Sequence, residues 1–347
     1  MHKSGFKKFI CEHRVYLWLI ILSLVMVIFS SLNPYPSEIK KVWEEKITQW
    51  ENFSIEEFIR KLENNLHLYY ILKITFFLGF ILFIFGIYFS FSFLVSLWRG
   101  GISLFSQNFP DVSWQVSDIL RVLIIIFFFV NILKVGEPIF WGIFEFNPTH
   151  LFWQFILRAF LIDLFSLGVI IYFVVKKYFS SLAQLGLRFK NFINNLLFAF
   201  YHYLGIIPLL FLAVFLSFSF TVFLKYKPEP SPLLFFFFQP QPKILVFLSF
   251  LFIAIFGPIV EEIFFRGFCY PPLRNRLNPL KAMFLVSFFF AWLHMNIIGF
   301  LPIFVLGLLL VYVYEKSQSL IPSIFIHMLH NSLILYSLFL YRVFWWK

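Results

Sequence analysis

Charge is what this chain has least of. Asp, Glu, Lys and Arg make up only 13% of its 347 residues, about half the roughly 25% usual in a soluble domain. So few charges cannot cover a water-exposed surface of this size, which excludes a soluble globular protein. Acids are scarcer than bases, 17 against 28. Cysteine is nearly absent: Cys11 and Cys269 lie far apart in the chain, and neither belongs to a CxxC pair. A structural disulfide framework is therefore excluded. No HExxH occurs, so a zincin-type metalloprotease finds no support. No small-x-small cleavage site follows the first apolar run, which reads as a retained helix and not a signal peptide.

What the chain does have is apolar length. It is 61% hydrophobic, with 56 Phe and a mean hydropathy of +0.86. Runs long enough to cross a bilayer recur throughout, which specifies an all-α, polytopic transmembrane bundle of about nine spans. The first span follows a basic N-terminus. Later spans are read at about 70–97, 119–135, 151–175, 196–224, 243–274, a run ending at His294, 301–314, and a last run through His327. Residues 33–69 carry seven Glu among Lys and Arg, with Trp43, Ile47, Trp50, Ile55, Phe58 and Leu62 at roughly helical spacing. They read as an amphipathic segment on the membrane surface. A proline-rich connector holds Pro228, Pro230, Pro232, Pro240 and Pro242. A boundary near residue 180 separates an N-terminal membrane region, 1–180, from a second domain, 181–347.

The net charge of +11 does not call for nucleic acid. Lys and Arg gather in the loops at 176–190 and 266–281, while the acidic stretch falls on the opposite side. By the positive-inside rule this is a multi-pass protein of a plasma membrane, with a cytoplasmic N-terminus. Asp163 in the fourth span, near Arg158, reads as a structural pair.

The stretch 257-GPIVEEIFFRGF-268 is unlike the rest. Glu261, Glu262 and Arg266 sit inside an apolar run, where each ionised group costs at least about 2.5–3.5 kcal/mol near mid-bilayer. On a helix, Glu262 and Arg266 are i, i+4 partners and can neutralise one another. Glu261 points about 100° away and cannot share that arginine. One carboxylate is held and one is available, which suits a general base. Pro258, just before them, frees a carbonyl and opens space beside Glu261.

Three polar groups follow on later segments: His294, His327 and Asn331. Glu262 and His294 are each sixteen residues from Asn278, on either side of an Asn278-Pro279 turn. At about 1.5 Å per residue both lie about 24 Å from that turn and share a level. His327 and Asn331 are i, i+4 and share a face, whereas His330 falls on another face and reads as structural. His202 reads the same way. Such a set can hydrolyse an amide: Glu261 takes a proton from water, His294 holds and polarises that water, and His327 with Asn331 faces the oxyanion. It can equally hold a divalent metal such as zinc, through Glu261, His294 and His327.

The ordered motifs EExxxR at Glu261–Arg266, FxxxH at Phe290–His294 and HxxxN at His327–Asn331 resemble the CPBP family. These are the CAAX prenyl proteases and bacteriocin-processing enzymes, also called Abi proteins. The resemblance covers about residues 243–341. It implies a glutamate-dependent or metal-assisted intramembrane endopeptidase, with a protease domain in the C-terminal half. Glu261 would activate water with His294, His327 and Asn331 would serve the oxyanion or orient substrate, and Glu262 and Arg266 would support them. The implied partners are membrane lipids and a protein or peptide substrate, prenylated or carrying a leader. The substrate, the cleavage position and the role of residues 1–180 stay open. A non-catalytic scaffold of the same fold is the alternative. A transporter ranks lower, because the two halves show no inverted repeat.

Overall fold

The computed structural model describes residues 15–27, 59–60, 62–101, 103–143, 150–226 and 242–345, giving the backbone alone over 137–143, 150–155, 341 and 343–345. The basic N-terminal tail, most of the amphipathic segment at 33–69 and nearly all of the proline-rich connector lie outside these residues.

The described residues form helices, with no strand. In chain order they are α1 (Val15–Val27), α2 (Leu66–Trp98), α3 (Val116–Ile143) and α4 (His150–Ile171), which runs on as a wider π turn, Tyr172–Lys177. Then come α5 (Phe192–Phe223), α6 (Lys243–Arg276), α7 (Pro279–Leu293), α8 (Ile297–Ser317) and α9 (Leu320–Trp345). Among the described residues seven helices are long and apolar enough to cross a membrane, and α1 and α7 are shorter apolar helices. The chain is a polytopic, integral membrane protein of helical architecture.

Local chemistry explains the boundaries. Asn278 accepts a hydrogen bond from the Lys281 amide at 2.8 Å and is followed by Pro279, so α7 starts with one orphan donor satisfied and another removed. The expected turn between the sixth and seventh segments is therefore present. Asn296 caps the Gly299 amide at 2.9 Å in the same manner. This cap sets the start of α8 at Ile297, so the eighth segment is longer than the 301–314 read from hydropathy. Gln318, in the left-handed region at φ 54°, ends α8.

The described residues fall into two compact units. One draws on 1–39 and 113–180 and holds α1, α3 and α4; the other draws on 40–112 and 181–347 and holds α2 with α5–α9. In the first unit α3 packs on α4. In the second, α2 lies against α5, and α5 against α8. Gly86 permits the α2–α5 approach: a Cβ there would come 2.7 Å from the Leu204 carbonyl oxygen. Ser90 Oγ reinforces it by donating to the Gly205 carbonyl. The core of this unit runs along α8, where Val305, Leu306 and Leu309–Glu315 are buried on all sides. By contrast Phe76, Phe91 and Trp98 of α2 are 78%, 66% and 86% exposed. Apolar exposure on that scale suits lipid and not water.

Gly186 seats the connector before α5 on this core. Its φ is +89°, and a Cβ would lie 2.6 Å from the Tyr314 ring. Its carbonyl accepts the Leu320 amide at 2.8 Å. Gly186→Ala therefore combines a left-handed backbone with a ring clash. The expected cost is about 2 kcal/mol or more, checked as a lowered thermal midpoint in detergent.

Candidate active site

The site grows from the irregularity of α6. The helix is α-helical over Lys243–Phe250, π-helical over Leu251–Phe256, α-helical over Gly257–Glu262 and π-helical again over Ile263–Cys269. Wide turns flank the two carboxylates on both sides, and such turns gather at functional sites.

Glu262 and Arg266 are both 0% exposed. They form the expected i, i+4 pair, with Arg266 Nη1 donating to Glu262 Oε1 at 2.7 Å. Arg266 Nη2 donates to the Gly307 carbonyl at 3.3 Å, and the guanidinium lies 4.4 Å from the centre of the Phe290 ring. One arginine thus joins α6, α7 and α8. The second oxygen of Glu262 has no hydrogen-bond partner.

His327, 2% exposed, stands between the two acids. Its Nδ1 meets Glu262 Oε1 at 2.9 Å, while Nε2 faces Glu261 Oε2 at 3.9 Å. That second spacing is beyond hydrogen-bond reach. The Glu261 side chain is 33% exposed, yet its Oε2 is shut off and has no hydrogen-bond partner. The pairing pattern is the one drawn from the sequence: one acid held, its neighbour unclaimed.

The other two residues are placed differently from expectation. His294 follows the last residue of α7, on the exposed side, and its Nδ1 bonds the Phe290 carbonyl at 2.7 Å. It makes no hydrogen bond or ion pair with Glu261, Glu262 or His327. The link is the Phe290 ring, whose centre is 4.7 Å from His294 and 5.5 Å from His327. Asn331 points its Nδ2 at the Ile253 carbonyl of α6, at 2.9 Å. One amide hydrogen is thus committed to the backbone and one remains. His330 contacts Tyr203 Oη at 3.1 Å, away from the carboxylates. His202 bonds the Phe198 carbonyl at 2.9 Å within its own helix.

Among the described residues no group of three or more His, Cys, Asp or Glu could hold a metal. Glu262 is bound to a cation, and His294 does not join Glu261 and His327. The trio named from the sequence does not fit a metal centre.

Two buried acids escaped the sequence reading. Glu315, 0% exposed, receives a forked contact from Arg274 at 2.8 Å, the Tyr270 hydroxyl at 2.9 Å and the Ser106 amide at 2.9 Å. Asp118, also 0% exposed, is held by Arg121 at 2.8 Å, by Lys177, and by the hydroxyl of Tyr178. Burial, with the bond it gives Asp118 adding to it, pushes the Tyr178 hydroxyl up to about 12. Glu315 answers an arginine 41 residues away, and Asp118 answers Lys177 and Tyr178, about 60 residues away, besides its i, i+3 neighbour Arg121; a lone DxxR is too common to mark such a cluster.

The fold and this cluster define a multi-pass helical membrane protein with an unclaimed acid beside a buried imidazole. Residues 243–333 match the family model described as type II CAAX prenyl endopeptidase Rce1-like. That stretch contains all three motifs, so the resemblance to CAAX prenyl proteases holds there. The chain is also similar to UPF0177 protein YaiF of Lactococcus lactis subsp. lactis (strain IL1403), 36% identical over 90 residues. The aligned part is 25% of this chain and spans 38% of that relative's length. No solved structure matches.

Arg266→Met removes the cation from a fully buried carboxylate. The expected loss is about 3–5 kcal/mol, and Glu262→Gln in the same chain should restore part of it. Thermal unfolding of the single and double variants in detergent checks both expectations.

Proposed function

We propose that this protein is an intramembrane endopeptidase, hydrolysing a peptide bond of a membrane-associated or lipid-modified substrate with water activated by Glu261. The observation that carries the reading is the pair Glu261 Oε2 and His327 Nε2, 3.9 Å apart, each turned toward the other and neither satisfied by it. Oε2 itself is shut off as it stands; a small outward shift of the Glu261 side chain, which is 33% exposed, admits a water within ordinary hydrogen-bond length of both. Similarity of residues 243–333 to type II CAAX prenyl endopeptidases supports the same class, and makes a prenylated tail the first substrate to test.

In this reading Glu261 takes a proton as the water oxygen forms its bond to the scissile carbonyl carbon. The carbonyl electron pair moves to oxygen, giving a tetrahedral intermediate. When the C–N bond breaks, Glu261 returns the proton to the leaving nitrogen. Glu262 anchors Nδ1 of His327 and so fixes which nitrogen faces the water. Arg266, donating to the same carboxylate, holds Glu262 in place as that anchor. The uncommitted N–H of Asn331 is the donor for the oxyanion. The geometry supports His327, in place of His294, as the group that shares the water with Glu261. His294, on the exposed side, is better placed to meet the substrate.

Cleavage of farnesylated and unmodified peptides by the full chain in proteoliposomes tests this. Glu261→Gln and His327→Ala should each lower kcat by about 10²-fold or more, with thermal midpoints close to wild type for the first. His294→Ala should lose less than His327→Ala. Turnover by Glu261→Gln at the wild-type rate would remove the mechanism.

A further inference from the structure

Pro258 sits three residues before Glu261, and the backbone around it shows what it does. In the π-helical stretch Leu251–Phe256, the N–H of Gly257 reaches back to the Phe252 carbonyl. The next amide in that register belongs to residue 258 and would reach the Ile253 carbonyl. Proline has no N–H to give. With Gly257 committed to Phe252, Ile253 lacks a backbone donor. Its carbonyl takes instead the Nδ2 of Asn331, 78 residues away on α9, at 2.9 Å. A backbone carbonyl in a membrane-spanning helix needs a partner inside the protein, and here the partner is a side chain from the proposed site.

A carboxamide is planar. Once one Nδ2 hydrogen is aimed at a fixed carbonyl, the direction of the other is set. Asn331 lies one turn beyond His327 on the same face of α9.

We propose that Pro258 is a positioning residue of the hydrolytic site. By withholding a backbone hydrogen from the Ile253 carbonyl, it makes that carbonyl the orienting partner of Asn331. The remaining N–H of Asn331 is thereby held toward the oxyanion. This inference rests on the hydrolase reading for its catalytic part; the hydrogen-bond exchange itself stands on geometry alone.

The exchange separates Pro258 from an ordinary structural proline. Pro258→Ala supplies the missing N–H and removes a residue unfavourable inside helices. It should leave the thermal midpoint at or above wild type. The new amide competes for Ile253 and releases Asn331, so kcat should fall about tenfold or more while KM stays within about twofold. Asn331→Ala should lose at least as much. The double variant should be no slower than the slower single one, because both act through one hydrogen bond.

The full chain in proteoliposomes, with farnesylated peptide, provides the rates. An isotope-edited infrared band from ¹³C=O at Ile253 provides a readout independent of turnover. In the wild-type background, Asn331→Ala should move that band to higher frequency. In the Pro258→Ala background the same change should not move it. Should Asn331→Ala fail to fold, Asn331→Ser reads the same band. Wild-type kcat in Pro258→Ala, multiplying losses in the double variant, or a band indifferent to Asn331 would each overturn the proposal. A wild type that cleaves neither peptide would remove the hydrolase reading, and the band would still decide whether Pro258 sets Asn331.

Discussion

An arginine out of reach of water governs the second compact unit. Arg266 is fully buried, and taking one such ion from water costs several kcal/mol even after relaxation. That cost is offset only if charge and polar groups meet it inside. Glu262 supplies the charge, the Gly307 carbonyl a second acceptor, and the Phe290 ring a π face. Each comes from a different place: α6 itself, α8 and α7. Gly307 has no side chain because Ser287 and Phe290 press against it, at 3.1 and 3.3 Å from where a Cβ would be. Arg266 therefore fixes how three helices pack.

The chemistry of the site follows from that constraint. Glu262 cannot both neutralise Arg266 and serve as a mobile base, so it becomes an anchor, and His327 Nδ1 is anchored on it. Adjacent residues on a helix diverge by about 100°, so Glu261 is carried off the arginine and left unclaimed. Wide turns on both sides of Gly257–Glu262 adjust where these two acids point. The Pro258 lesion in the hydrogen-bond ladder then draws Asn331 toward α6. The residues of the HxxxN motif thus meet α6 through unlike bonds: His327 by a side-chain acid, Asn331 by a backbone carbonyl.

Much of this was legible beforehand, for local reasons. The Glu262–Arg266 pair and the unclaimed Glu261 follow from i, i+4 spacing. The Asn278-Pro279 turn follows from capping chemistry. The start of α8 at Ile297 and its stop beyond Tyr314 were less visible, because the first rests on the Asn296 cap and the second on a left-handed Gln318, neither of which hydropathy registers. The place of His294 was missed for another reason. Equal depth along two antiparallel helices says nothing of azimuth, and the His294 ring is turned back along its own helix to the Phe290 carbonyl. The Asn331 contact was hidden because a π register leaves no mark on hydrophobic periodicity. The alignment with a donorless residue is visible only once the register is known.

Glu315 shows why burial of charge alone does not mark a reactive group. It is as buried as Glu262, lies in an apolar helix and pairs with an arginine of α6, Arg274. Yet both of its oxygens are used. Oε1 takes the Ser106 amide and Arg274, and Oε2 takes Tyr270 and Arg274. A carboxylate so saturated has no lone pair left in good geometry for water, and serves to hold the 103–112 segment against the ends of α6 and α8. Glu261 differs in the one respect that chemistry needs. Its Oε2 is buried, is answered by no donor, and faces a ring nitrogen 3.9 Å away. Saturation distinguishes an acid that builds the fold from one that can act, and among the described residues the buried carboxylate oxygens left without a partner are Glu261 Oε2 and Glu262 Oε2. Glu262 is tied by its other oxygen to Arg266 and His327, which leaves Glu261 as the base of the proposed reaction.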